Sequence, residues 1–181
     1  MSAFKSFFLG AISILALLAG IGFLLPSNYR VEESIYIQVS PAEVFEQVNN
    51  LPNWENWAFA GYGEGKPEVR FMGPVDGAGA IYTWEDDLGG GRMEIISSTF
   101  PTNVQLKLMT QGGAYASHLY FVLEPQDGGG TLVHWSEEGD LGLHIKARYF
   151  LAMGVLEKAI AANYQTGLQA LKARCELPKG I

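Results

Sequence analysis

The longest unbroken apolar stretch runs from Phe7 to Leu25, with Ser13 its one polar member. At a rise of about 1.5 Å per residue, such a helix is roughly 28 Å long, near the hydrocarbon thickness of a bilayer. A cleaved signal peptide has a shorter apolar core followed by a small-x-small site, and Leu24-Leu25-Pro26-Ser27-Asn28 offers none. Residues 1–26 are therefore expected to form an uncleaved single-pass anchor, with one domain over 27–181. Lys5 before the run and Glu32-Glu33 after it favour a cytoplasmic N-terminus and a periplasmic or otherwise extracytoplasmic domain.

Beyond the anchor the period changes. In 29–39, Val31, Ile35, Ile37 and Val39 alternate with Glu32, Ser34 and Gln38, the pattern of a half-buried strand. Ser40-Pro41-Ala42-Glu43 then reads as a capping box with proline at the first helical position. The helix it opens buries Val44, Phe45 and Val48, and breaks near Asn49-Asn50. A second short helical piece is expected to carry Trp54 and Trp57. From about Lys66 to Glu138, short alternating stretches are divided by turn clusters such as Gly73-Pro74, Gly89-Gly90-Gly91 and Asp127-Gly128-Gly129-Gly130. That predicts strands near 67–72, 79–86, 91–99, 103–110, 114–124 and 130–138. Finally, Met153, Leu156, Ile160, Tyr164, Leu168 and Leu171 recur at helical steps, predicting one long helix from about Lys146 to Cys175.

The expected fold is thus α+β: a seven-stranded antiparallel sheet wrapped on a long C-terminal helix, with two short helices after the first strand. A lone helix is narrower than seven strands, so side chains or a cavity must fill the space between them.

Composition narrows the function. Hydrophobic residues make up 48% of the chain and charged ones 17%, an ordinary globular balance. The net charge of -7 and the lack of a basic cluster argue against a nucleic-acid partner. Acidic residues crowd between Arg30 and Asp140, and basic ones outnumber them after Lys146, where Lys172 and Arg174 suit a helix C-terminus. The single cysteine, Cys175, excludes an internal disulfide.

Several segments carry a resemblance. They are Ser34 to Phe45, Trp54-Glu55-Asn56-Trp57, Gly77-Ala78-Gly79-Ala80 with Trp84, Gly130 to Trp135, and Tyr164 to Lys172. In order and spacing, the chain over 29–176 resembles the SRPBCC superfamily of START-like helix-grip proteins, in its polyketide cyclase/dehydrase and lipid-transport branch. The resemblance implies a cavity for a hydrophobic molecule between sheet and long helix, and it does not fix a reaction.

The faces turned toward that helix carry the candidate chemistry. Trp57, Tyr82, Trp84, Tyr115, Phe121, Trp135, Tyr149 and Met153 are the candidate ligand-binding residues, since broad apolar walls suit flat or greasy guests. Any one of them taken singly is better explained as core, whereas a cavity somewhere among them is expected. Glu137 shares the inward parity of Val133 and Trp135, making it the one weak catalytic candidate. Its neighbours Glu138 and Asp140 argue instead for a solvated acidic rim, and the basic Arg92 opens the strand after the triple glycine. His118 and His134 share the face turned away from the helix and lack a third ligand, so no metal is expected. Gly61 to Lys66 has glycines in the style of a phosphate loop, but Pro67 stands where Ser or Thr is needed.

The expectation is a membrane-anchored binder or carrier of a lipid, isoprenoid or polyketide-like molecule, without cofactor and not an enzyme. The rivals are a cyclase/dehydrase-type enzyme and a modulator of a membrane protein partner.

Overall fold

The computed structural model describes residues 2–58, 68–85 and 89–177. Helix α1 (Ser2–Leu24) holds the apolar run; its Phe4–Leu24 portion has a mean hydropathy of 2.5 and is long and apolar enough to cross a bilayer. Almost none of its surface is buried against the rest of the chain.

Strand β1 (Asn28–Ile37) alternates as its sequence demands, with Val31 and Ile37 buried and Arg30, Glu32, Ser34 and Tyr36 outside. Helix α2 (Pro41–Asn49) starts where the capping box placed it: the Glu43 carboxylate accepts the Ser40 backbone N–H at 3.1 Å. Val44, Phe45 and Val48 are buried. The second helical piece is a 3-10 turn over Leu51–Asn56 that carries Trp54 and ends at Trp57. It is pinned by the Trp54 indole N–H, which donates to the Val48 carbonyl at 2.8 Å.

Six strands follow: β2 (Glu68–Met72), β3 (Ile81–Glu85), β4 (Gly91–Thr99), β5 (Asn103–Thr110), β6 (Tyr115–Pro125) and β7 (Thr131–Asp140). Strand β3 is shorter than the expected 79–86, because Gly79 and Ala80 belong to the turn before it; residue 86 lies outside the described residues, as does residue 67. All neighbours are antiparallel, in the order β1-β7-β6-β5-β4-β3-β2. The chain therefore leaves β1 at one edge, crosses through α2 and the 3-10 turn to the opposite edge, and meanders back.

The long C-terminal helix is divided, and this corrects the single run expected over Lys146 to Cys175. Helices α3 (Ile145–Ala152) and α4 (Val155–Cys175) are separated at Met153-Gly154, where Gly154 takes a left-handed φ of 68°. The break turns the start of the run away from the sheet. Tyr164, Leu168 and Leu171 of α4 are buried, whereas Met153 is 60% exposed.

Helix α4 lies along the β1 side of the sheet. The Lys172 ammonium donates to the Tyr36 carbonyl at 2.8 Å, and Glu176 accepts the Gln38 N–H at 2.8 Å. Helix α2 and the 3-10 turn cover another part of the same face. The core formed between these layers runs from Ile37 and Val44 through Trp54, Trp57, Phe121 and Trp135 to Leu171.

Candidate functional site

The inner faces of β6 and β7 place Leu119, Phe121 and Leu123 beside Val133, Trp135 and Glu137, since paired residues share a face. Most of this surface is filled by rings. Phe121 stacks on Trp135 with centroids 4.9 Å apart, and Trp135 lies almost parallel to Tyr164 of α4 at 3.9 Å. Trp54 and Trp57 meet the same group edge-on. The helix comes this close because residue 167 is glycine: a Cβ there would stand 2.9 Å from the Trp135 ring.

Filling is incomplete where α4 diverges from the central strands. A pocket of about 200 Å³ remains, walled by Trp84, Met93, Leu108 and Trp135 on the sheet and by Ile160 and Tyr164 on the helix. It is smaller than the roughly 300–1,000 Å³ usual for ligand sites. Its polar atoms come from Thr110, Glu137, Asn163, Tyr164 and Thr166. Asn163 and Thr166 are exposed and form the helix side of its mouth.

Glu137 is the chemical centre of this wall. Rather than belonging to a solvated rim, it is 6% exposed, and both carboxylate oxygens accept phenolic hydrogens. Tyr29 of β1 donates to Oε1 at 2.7 Å, and Tyr164 donates to Oε2 at 2.5 Å. Among the described residues no Lys or Arg forms an ion pair with it. Burying a carboxylate in an apolar layer is costly unless hydrogen bonds satisfy it, and the two phenols do so. Burial, and then the charge of Glu137, hold the Tyr164 hydroxyl well above the ordinary tyrosine range; the same causes raise that of Tyr29. Both remain hydrogen-bond donors throughout neutral pH. Tyr29 reaches inward because residue 139, its partner on β7, is glycine; a Cβ there would fall 2.6 Å from the Tyr29 ring.

The candidate ligand-binding residues fall into three groups. Trp84 and Trp135 line the pocket. Trp57, Tyr82 and Phe121 are buried in the core beside it and are not part of its lining. Tyr115, Tyr149 and Met153 lie elsewhere. Tyr115 packs on the His144 ring at 4.5 Å, Tyr149 donates to the Leu18 carbonyl of α1 at 2.7 Å, and Met153 faces outward. Arg92 points to the opposite side of the sheet and pairs with Glu94 at 2.8 Å, far from any role beside Glu137. Sequence reasoning did not single out Tyr29, Asn163 or Thr166; the inward parity of Tyr29 with Val31 was the available signal for the first.

His118 is on the outer face, and His134 sits there between Glu32 at 3.3 Å and Glu124 at 3.7 Å. Among the described residues no group of three His, Cys, Asp or Glu side chains is arranged to hold a metal. The glycine-rich segment 61–66 lies outside the described residues.

A family model described as polyketide cyclase / dehydrase and lipid transport matches residues 29–176. No curated protein matches the chain in sequence. Among solved structures, a Chromobacterium violaceum protein is 11% identical with a TM-score of 0.58, covering 82% of this chain and 98% of that one. A point mutant of Thalictrum flavum norcoclaurine synthase, bound to a transition-state analogue, is 9% identical with a TM-score of 0.58 and covers 81% and 96%. A Staphylococcus aureus protein of unknown function is 14% identical, with a TM-score of 0.58 and coverage of 82% and 95%. At such identities the likeness is one of fold.

Proposed function

The chain belongs to the polyketide cyclase / dehydrase and lipid transport family, and from that premise we propose that it binds a hydrophobic small molecule between sheet and α4 while α1 tethers it to a membrane. The observation that carries this reading is the pocket itself, apolar on Trp84, Met93, Leu108, Trp135 and Ile160 and polar at one end. About 200 Å³ suits one chain or a small ring system rather than a large polycyclic body. Asn163 and Thr166 at the mouth suit a hydroxyl or other polar group at the guest's end. The tether reading rests on the length, hydropathy and exposure of α1. A tether keeps the pocket close to the bilayer in which such a guest dissolves. An extracytoplasmic position for the domain rests on Lys5 and Glu32-Glu33 alone.

Native mass spectrometry of the full chain, released from membranes of its producing host, tests the reading. The expected result is a small adduct that Thr110→Trp, which fills the pocket, abolishes. A bare protein, or an adduct untouched by that substitution, counts against it.

A second reading has one specific observation behind it: an ionisable residue and a phenol, Glu137 and Tyr164, meet at 2.5 Å on the pocket wall. That is the arrangement a cyclase-type proton transfer requires. Binding is preferred, because both Glu137 oxygens are already engaged by Tyr29 and Tyr164.

A further inference from the structure

Helix α1 does not hang from the domain by a loose linker. Its last turns are bound to α3 at three points. The Tyr149 hydroxyl donates to the Leu18 carbonyl at 2.7 Å. The Arg148 guanidinium donates to the carbonyls of Phe23 at 2.9 Å and Leu25 at 3.2 Å, satisfying groups that a helix end leaves open, and its Nε donates to Gly142 at 2.7 Å. Gly22 is buried against Ile145, where a Cβ would stand 2.4 Å from the Ile145 methyl. The Leu141 N–H completes the joint by donating to the Ser27 carbonyl at 2.9 Å.

This joint sets the depth of α3. Leu18 precedes Leu24 by six residues, so Tyr149 meets α1 roughly 9 Å before its C-terminal end. Any bilayer that encloses α1 therefore reaches the helix packed beside it. Residues of α3 are divided to match. Ile145, Arg148 and Tyr149 face α1, and Leu151 is buried. Around them, from the turn before α3 to the start of α4, the exposed side chains are greasy: Leu143 is 77% exposed, Phe150 50%, Met153 60% and Val155 49%. Lys146 and Lys158, both exposed, flank these residues. Apolar side chains with flanking lysines are the composition of an interfacial membrane segment.

We propose that this face, from Leu143 to Val155, rests in the headgroup layer of the bilayer that α1 spans. The domain is then seated on the membrane in one orientation instead of swinging on a tether. The inference rests on the reading of α1 as a spanning helix, and continuity with α1 is what assigns lipid as the occupant. It also gives the left-handed Gly154 a consequence: the break turns α3 onto the membrane while α4 continues over the sheet. Ile160, the first α4 residue of the pocket wall, follows Val155 by five residues, about 8 Å along the helix. The seat thus holds the pocket within reach of the lipid surface.

The test uses the full chain in vesicles of phosphatidylcholine and phosphatidylglycerol, in a Cys175→Ser background with one added cysteine carrying a polarity-sensitive fluorophore. Met153→Cys reports the seat and Leu15→Cys reports the spanning helix. The expected result is blue-shifted emission at both positions, with Met153→Cys losing most of its emission to a lipid spin-labelled near the headgroup and Leu15→Cys to one labelled deep in the chain. Lipid contact at Leu15→Cys with water-like emission at Met153→Cys overturns the seat and leaves the tether standing. Water-like emission at Leu15→Cys overturns both.

Discussion

Tyr164 and Trp135 lie face to face, ring centroids 3.9 Å apart and planes 12° from parallel. The stack brings the Tyr164 hydroxyl onto Oε2 of Glu137, so packing and polar satisfaction of the buried carboxylate depend on one side chain. Tyr164→Phe keeps the stack and removes the donor. Leaving a buried acceptor short of a partner costs about 1–3 kcal/mol, so the unfolding free energy from urea titration is expected to fall by that much. Glu137→Gln, which can still accept one phenol, is expected to lose less. Equal stability for Tyr164→Phe and the parent chain contradicts the structural role given to the pair.

Stability is also expected to fall at alkaline pH. Tyr29 and Tyr164 keep their protons in the folded state above the ordinary tyrosine value of 10.0, because burial and the Glu137 charge disfavour the phenolate. Above that pH the unfolded chain binds fewer protons than the folded one. The contribution of the phenols is complete below it and is lost as pH rises toward their folded values. Cys175 acts with the same sign from a lower start: burial, then Glu43 and Glu176, push its thiol from 9.0 to about 11. Urea midpoints followed from about pH 8 to about pH 11 in a Cys175→Ser background isolate the tyrosines. The decline is expected to flatten in the Tyr29→Phe/Tyr164→Phe variant.

Arg148 joins the end of α1 to α3, and Arg148→Ala is expected to free that joint while leaving the domain folded. Limited proteolysis in vesicles reads this directly, with faster cleavage around Pro26 to Asn28 and unchanged circular dichroism. An unchanged cleavage rate contradicts the assigned role of the guanidinium.

Much of the fold was legible because β4 and β5 follow turn clusters that leave little freedom, and because buried Val31 and Ile37 alternate with exposed Arg30, Glu32, Ser34 and Tyr36. The break at Gly154 was not, since an apolar period runs through Met153 and Leu156 whether or not the backbone turns left-handed between them. That one dihedral sent Tyr149 and Met153 away from the pocket they were expected to line. Glu137 shows a different limit. Parity gave its inward direction, but its burial depends on Tyr29 and Tyr164, which are 108 and 27 residues away in sequence. Their approach depends in turn on the missing side chains at Gly139 and Gly167.

The room left beside α4 is expected to accept an apolar guest. Photolabelling of the full chain with a long-chain alcohol bearing an alkyl diazirine, followed by peptide mapping, tests it most directly. Adducts are expected on Met93, Leu108, Ile160 or Tyr164, and Thr110→Trp is expected to remove them. Labelling confined to α1 and the exposed face of α3, with the pocket residues untouched, contradicts it.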